Sequence, residues 1–147
     1  MESELYKNIL IATDGSDNTR KAIRYGIELA RLTGADVHAI YILDAGAFAS
    51  LPMDAAWEGM YELLRTEGKT ALKSIEDLGR EAGVTVESVT LDGHPAHEIV
   101  EYAKENEIDL IVMGTLGKTG LDRILLGSVA TTVIHTSPIP VMVVHAE

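Results

Sequence analysis

The sequence predicts an α/β fold, in which a doubly wound parallel sheet of five strands carries helices on both faces. Short apolar segments rich in β-branched residues alternate with helical patterns along the whole chain of 147 residues. This alternation is typical of parallel strands joined by crossover helices. Most strand segments are apolar runs, as expected for strands that are covered on both faces, whereas residues 84–91 alternate between apolar and polar positions. The length favours a single domain over residues 1–147.

The first strand and helix are predicted from a β-branched run followed by helical spacing. Residues 8–13 form the strand, and an Asp-Gly-Ser turn follows at residues 14–16. Ser16 or Asp17 is the expected N-cap of the helix, and Gly34 is its expected stop. The inward positions of this helix recur at helical spacing: Ala22, Ile23, Gly26, Ile27 and Ala30.

The middle of the chain contains two strands on either side of a long helix. Residues 37–43 form the second strand, and residues 44–56 have no clear period, which favours a flexible connection or a mobile lid. Residues 84–91 form the third strand. Residues 57–82 form the helix, which ends at Gly83, and its predicted inner face comprises Leu64, Gly68, Ala71, Ile75, Leu78 and Ala82.

The last third of the chain adds two helices and two strands around a glycine-rich segment. Pro95 begins a helix whose inward residues are Ala96, Ile99, Val100 and Ala103. Residues 109–113 are a fully apolar strand, residues 114–127 are the glycine-rich loop, and Val141–Val144 is the last strand. Residues 128–136 form the fourth helix, with Val129, Val133 and Ile134 inward.

The composition narrows the class of protein. The net charge is −11, which disfavours binding to polyanionic DNA or RNA. The chain has no cysteine, so a disulfide scaffold, a thiolate metal site and a cysteine nucleophile are excluded. The first residues are polar and acidic, and no apolar run reaches membrane-spanning length. A cytoplasmic protein with neither a signal peptide nor a membrane span is the expectation.

The glycine-rich segment GTLGKTGLDRILLGS, residues 114–128, has features of a phosphate-binding loop. It is not a P-loop, because Val112 stands where the first glycine of that motif is required, and the dinucleotide fingerprint G-x-G-x-x-G is also absent. The remaining pattern is G-x2-G-x9-G-S, formed by Gly114, Gly117, Gly127 and Ser128. It suits a main-chain phosphate cradle that ends at a helix N-terminus. A glycine-rich surface loop with a helix cap is the alternative that spacing alone leaves open.

The whole chain resembles the nucleotide-binding class of the universal stress protein family. The resemblance is carried by several segments: the turn Thr13-Asp14-Gly15-Ser16, residues 37–44, the loop Gly93-His94-Pro95, the stretch IVMGTLGKTGLDRILLGSVATTVI and the closing residues 140–144. It implies a Rossmann-like sheet with strand order 3-2-1-4-5. It also implies that the glycine motif binds ATP, or ADP or AMP, with Mg²⁺ bridging phosphate oxygens.

The resemblance also implies which residues form the site. Ala12, Thr13 and Asp14 would line the adenosine end, and Ile42 and Met113 would pack around adenine. Main-chain N–H groups would hold ribose and phosphates at Gly114, Gly117, Gly127, Ser128 and Val129.

Some of these residues have a purely structural alternative. Ile42 and Met113 could be core residues, and Asp14 could cap the first helix. Lys118 and Arg123 are the cations of the glycine-rich segment and could offset phosphate charge.

Two other expectations concern metal and catalysis. His94 and His97 could bind a metal, but a histidine pair at a helix start is more often structural, so no metal ligand is assigned. Asp14 is expected to be the only strand-end carboxylate in the pocket, and no catalytic residue is assigned.

Leu116 stands where many members of the family carry a polar residue or histidine.

The resemblance therefore supports a nucleotide-binding regulatory module of the stress response. A slow Mg²⁺-dependent ATPase or phosphoryl-transfer enzyme is the alternative, because phosphoryl transfer needs mainly positioning, a metal and cations. A structural protein that keeps the motif unused is a third reading. The resemblance also implies a homodimer that pairs through Val141–Val144, whose sheet edge is expected to be exposed.

Overall fold

Five parallel strands form one sheet in the order β3-β2-β1-β4-β5 in the computed structural model of this chain. The structure describes residues 2–44, 46, 55–115 and 126–146. The predicted α/β class and the strand order 3-2-1-4-5 are confirmed. The strands are β1 Asn8–Thr13, β2 Asp36–Leu43, β3 Val86–Asp92, β4 Leu110–Gly114 and β5 Val141–Val144.

Two helices cover each face of the sheet. Their bounds are α1 Arg20–Thr33, α2 Ala55–Ala82, α3 Pro95–Glu105 and α4 Ser128–Thr136. The buried residues of α1 and α2 pack on one face with Ile9 and Ile11 of β1. Those of α3 and α4 pack on the other face with Leu10 and Ala12. Successive side chains from Ile9 to Ala12 thus pack into opposite cores, which is why these four positions of β1 are all apolar.

The start of α1 differs from the prediction. A short 3-10 helix, Asp17–Thr19, follows the first strand, and α1 begins only at Arg20. Ser16 precedes the 3-10 helix and makes no side-chain cap bond to it, because its N–H and hydroxyl both donate to Asp14. The predicted stop is confirmed, since Gly34 adopts φ +80° and its N–H donates to Ala30 O at 2.9 Å.

The predicted inner faces of two helices are each wrong at one position. Leu78 of α2 is 39% exposed, whereas Leu72 and Gly79 are buried. Gly79 lies on the buried face of α2 because the helix crosses β3 closely at this residue. A Cβ at Gly79 would stand 2.3 Å from Val86 Cγ2. In α4, Ile134 is 42% exposed and Ala130 is buried in its place.

Several predicted strand bounds also shift by one or two residues. The third strand begins at Val86 instead of residue 84, because Val84 N–H donates to Gly79 O at 2.8 Å and so still caps the end of α2. The fourth strand is Leu110–Gly114 and continues one residue beyond the predicted Met113.

Several predicted features lie outside the described residues. These are most of the 44–56 connection, together with Leu116, Gly117, Lys118 and Arg123 of the glycine-rich segment. Within the described part of the chain, no helix combines the length and the hydropathy that crossing a bilayer requires.

Candidate functional site

A cleft of about 410 Å³ opens at the carboxyl ends of the strands, between β1, β2 and β4. The order of strands reverses around β1, and ligands of doubly wound sheets bind in the crevice at that point. The volume lies in the range of small-molecule pockets, about 300–1,000 Å³. Its walls come from strand ends, from the start of α4 and from α2 and α3. The sheet topology therefore places a cavity at the strand ends from which the candidate site was predicted.

Every predicted site residue in the described part of the chain lines this cleft. Gly117 lies outside the described residues. The residues that the fold brings together are Ala12, Thr13, Asp14, Ile42, Met113, Gly114, Gly127, Ser128 and Val129. They come from β1, β2, β4 and α4, which are far apart in the chain. What each of them contacts in a ligand remains a prediction.

The turn after β1 is held by its own side chains. The N–H and the hydroxyl of Ser16 donate to Asp14 Oδ1 at 2.9 and 2.6 Å. Gly15 adopts φ +84°, and its N–H donates to Thr13 Oγ1 at 3.1 Å. Asp14 therefore closes an Asx-type turn and does not cap α1, which begins at Arg20. Its carboxylate is fixed in the wall of the cleft.

The N-terminus of α4 forms the opposite wall. Gly127 is the N-cap in extended conformation, φ −66° and ψ 161°, and it has no side chain to cap the helix. Ser128 does not cap α4, since it is already the first helical residue. Gly127 N–H donates to Thr115 O at 2.5 Å, which ties this end of the helix to the end of β4. The N–H groups of the first helical turn thus begin at the cleft, where the helix dipole favours an anion.

Gly114 is needed for a close approach rather than for a turn. It still belongs to β4, and the glycines with positive φ in the described residues are Gly15, Gly34, Gly83 and Gly93. A Cβ at Gly114 would stand 3.1 Å from the backbone oxygen of Asn18. The absence of a side chain lets β4 end against the 3-10 helix and keeps that corner of the cleft open.

Sequence reasoning missed several residues of the cleft. Asp44 follows β2 directly and lines the cleft, so the expectation that Asp14 is the only strand-end carboxylate there is wrong. The position of Asp44 directly after β2 indicates this placement, because the ends of adjacent parallel strands lie side by side. From the sequence, Asp44 is instead assigned to the connection that follows. The other missed lining residues are Thr19, Ile40, Tyr41, Leu64, Pro95, Ile99, Thr115 and Ala130.

The described walls of the cleft are acidic. Asp14 and Asp44 are the charged residues of the lining within the described part of the chain. Tyr41 is buried and also lines the cleft. Its burial, together with the negative charges of Glu67 and Asp14, raises the pKa of Tyr41 to about 12. A bound anion must therefore be held against this local field by main-chain N–H groups or by cations.

The shifted pKa of Tyr41 predicts a loss of stability at high pH. Between about pH 10 and 12 the unfolded chain releases the phenol proton while the folded protein retains it, so the free energy of unfolding falls. The expected contribution is up to about 3 kcal/mol, lost as pH rises through that window. Urea unfolding at pH 9 and pH 11.5 measures it. Tyr41→Phe is the control and is expected to weaken the pH dependence; an identical fall in the variant would contradict the assignment.

A second, shallower groove lies between α3 and α4. His94, His97 and Glu101 line it with Lys104 and residues of α4. Among the residues that the structure describes, no group of three or more histidine or acidic side chains is arranged to hold a metal ion. The two histidines remain unassigned.

Comparisons with known proteins agree with this fold. The sequence profile of the universal stress protein family matches residues 5–145. The chain is 50% identical over 140 residues to the universal stress protein MJ0531 of Methanocaldococcus jannaschii, covering 95% of this chain and 82% of that protein. The solved structure of the hypothetical protein MJ0577, from the same organism, superposes with a TM-score of 0.85 at 31% identity, over 97% of this chain and 98% of the other.

Two further solved structures contain adenine nucleotides. One is a universal stress protein in complex with cAMP, with a TM-score of 0.71 and 25% identity over 97% of this chain and 98% of the other. The second is the universal stress protein from Archaeoglobus fulgidus in complex with dAMP. It has a TM-score of 0.67 and 26% identity over 95% of this chain and 98% of the other.

Proposed function

This chain belongs to the universal stress protein family, and we propose that it binds ATP, or ADP or AMP, as a nucleotide-dependent regulatory module of a stress response. The observation that carries the proposal is the convergence of the predicted site residues on one cleft at the strand ends. The adenine nucleotides in two structural neighbours support the choice of ligand class.

The apolar part of the cleft suits a purine. Ile42 and Met113 line it from β2 and β4, the two strands on either side of β1, and Leu64, Pro95 and Ile99 add further apolar surface. In the proposal, adenine packs against Ile42 and Met113. Ala12, Thr13 and Asp14 face the adenosine, and the Asp14 carboxylate accepts hydrogen bonds from ribose or base.

The phosphates belong at the N-terminus of α4. There the proposal places the main-chain N–H groups of Gly114, Ser128 and Val129, with Gly117 contributing from outside the described residues. The Gly127 N–H already donates to Thr115 O, so its predicted contact with phosphate is not retained and Gly127 acts as the N-cap of α4. Because Asp14 and Asp44 make the described walls acidic, we include Mg²⁺ in the proposal, since its positive charge would offset the charge of the phosphates. The chain's own residues would hold and orient the nucleotide.

The direct test is the small molecules that the purified protein carries. Mass spectrometry of material released by heat denaturation is expected to detect an adenine nucleotide in protein purified without added ATP. Isothermal titration with ATP, ADP and AMP, with and without Mg²⁺, then ranks the ligands. Protein that carries no nucleotide and binds none in titration would overturn the proposal and favour a protein that keeps the motif unused.

We also propose that two copies pair through β5. Among the described residues this strand lies at the edge of the sheet and pairs with β4 alone. Ile111 N–H donates to Pro140 O and Thr115 N–H donates to Val144 O. Since backbone groups alternate in direction along a strand, those of Val141 and Val143 point away from β4. Such a free edge is a template for pairing with another strand.

A proline at this edge tests the dimer. Val143→Pro removes an N–H that faces away from β4, so we expect a monomer where the wild-type protein has twice the mass of the chain in light scattering at micromolar concentration. Val143→Thr keeps the N–H and the β-branch and is expected to remain a dimer. A monomeric wild-type protein, or a dimeric Val143→Pro variant, would contradict pairing through this edge.

A further inference from the structure

Thr115 carries a buried hydroxyl without a hydrogen-bond partner. The residue follows the last residue of β4, is 2% exposed and lines the cleft. Among the buried side-chain nitrogen and oxygen atoms of the described residues, Thr115 Oγ1 is the one that no hydrogen bond satisfies. Burying a hydroxyl without a partner is unfavourable, and such an atom in a native structure calls for an explanation.

The other buried threonines of the described chain show the contrast. Thr13 and Thr19 also lie at this end of the sheet, and their hydroxyl oxygens hydrogen-bond to each other at 2.9 Å. Thr19 additionally donates to Ser16 O, and Thr13 accepts from Gly15 N–H. These two hydroxyls hold the turn after β1. The hydroxyl of Thr115 makes no such hydrogen bond among the described residues.

The backbone of Thr115 is fixed on both sides. Its N–H donates to Val144 O at 3.2 Å, which anchors it to the end of β5. Its carbonyl accepts from Gly127 N–H at 2.5 Å, which anchors it to the N-cap of α4. These two bonds hold the backbone of Thr115 next to the N-terminus of α4, where the helix dipole and the first-turn N–H groups favour a negatively charged group.

We propose that the Thr115 hydroxyl donates a hydrogen bond to a phosphate oxygen of the bound nucleotide and makes the site prefer nucleotides over nucleosides. The inference rests on the proposed function and adds to it a residue that selects for phosphate. A phosphate oxygen is the acceptor that the neighbouring α4 N-terminus would hold. Hydrogen bonds to charged groups are stronger than those between neutral groups, so this one contact can distinguish AMP from adenosine.

Replacement of the hydroxyl by a methyl group tests the inference. Thr115→Val keeps the shape and the β-branch and removes the donor. We expect its affinity for AMP and ATP in titration to fall about tenfold, while its affinity for adenosine stays within about twofold of wild type. Thr115→Ser keeps the hydroxyl and is expected to retain most of the preference for AMP over adenosine.

The melting temperature of the protein without nucleotide distinguishes a role of the Thr115 hydroxyl in ligand binding from a role in the fold. Because the hydroxyl has no partner among the described residues, the melting temperature of Thr115→Val without nucleotide is expected to equal or exceed that of wild type. Thr136→Val is the matched control, since Thr136 is exposed on α4 and its hydroxyl donates to Thr132 O at 2.8 Å. We expect this control to bind AMP and adenosine as wild type does.

The outcomes are distinct. If wild-type protein binds AMP and Thr115→Val binds it equally well, the hydroxyl contact is refuted and the proposed function stands. If the valine variant loses adenosine and AMP alike, or melts well below wild type, Thr115 shapes the site and does not select for phosphate. If wild-type protein binds no nucleotide at all, both proposals fail.

Discussion

Ser128→Asp is expected to lower the affinity for ATP about 100-fold without lowering the stability of the protein. Ser128 is the first residue of α4 and lies in the wall of the cleft. A carboxylate there would stand close to the proposed phosphate position. Two unit charges about 5 Å apart repel by about 3 kcal/mol at an effective dielectric constant of about 20, which corresponds to about 100-fold in affinity.

The same substitution favours the helix itself. Acidic side chains near a helix N-terminus stabilise the helix by about 0.3–1 kcal/mol through the dipole. Ser128 is exposed, so the carboxylate is solvated in the protein without ligand. A loss of binding with an unchanged or slightly higher melting temperature therefore assigns the effect to the site and not to the fold.

The matched control is Ser74→Asp, on the exposed side of α2. It adds the same charge to an already acidic chain, away from the cleft lining. We expect ATP affinity in titration to change less than about twofold, because charges separated by more than about 8–10 Å in solvent are largely screened. Equal losses of affinity in both variants would show that net charge, not a local phosphate site, controls binding.

Gly68→Ala is expected to reduce the free energy of unfolding by about 1–3 kcal/mol. Gly68 is the residue at which α2 crosses Tyr41, and a Cβ there would stand 2.4 Å from Tyr41 Cδ1. Tyr41 is 2% exposed and lies on a central strand, so its ring has little room to move. Alanine is the better helix former by up to about 1 kcal/mol, but the overlap outweighs that gain.

Gly59→Ala in the same helix provides the control. Gly59 is exposed, and a Cβ there would meet no atom within 4 Å. Alanine is expected to stabilise the protein by about 0.5–1 kcal/mol, since only helix propensity changes. Urea unfolding followed by circular dichroism, at one protein concentration, measures both variants. A Gly68→Ala variant as stable as Gly59→Ala would contradict the close crossing of α2 over β2.

Much of this protein is encoded locally and could be predicted from its sequence. The alternation of apolar runs with helical spacing predicts an α/β sheet because strands covered on both faces must be apolar at every position, as Ile9 and Leu10 show. Gly34, with φ +80°, ends α1 as predicted because the left-handed conformation favours glycine. The strand order came from the family resemblance carried by motifs such as the one beginning at Gly114.

What the sequence alone determined is therefore the class of fold, the approximate elements and which strand ends carry the candidate site. Only the tertiary structure decided that Leu78 and Ile134 lie outside the buried faces of α2 and α4, that Asp44 joins Asp14 in the cleft, and that the Thr115 hydroxyl has no partner among the described residues. The physical reason is the distance along the chain over which each effect acts. Periodicity and turn chemistry act between residues close in the chain, whereas a helix crossing and a missing hydrogen bond depend on atoms that meet only after the sheet has assembled.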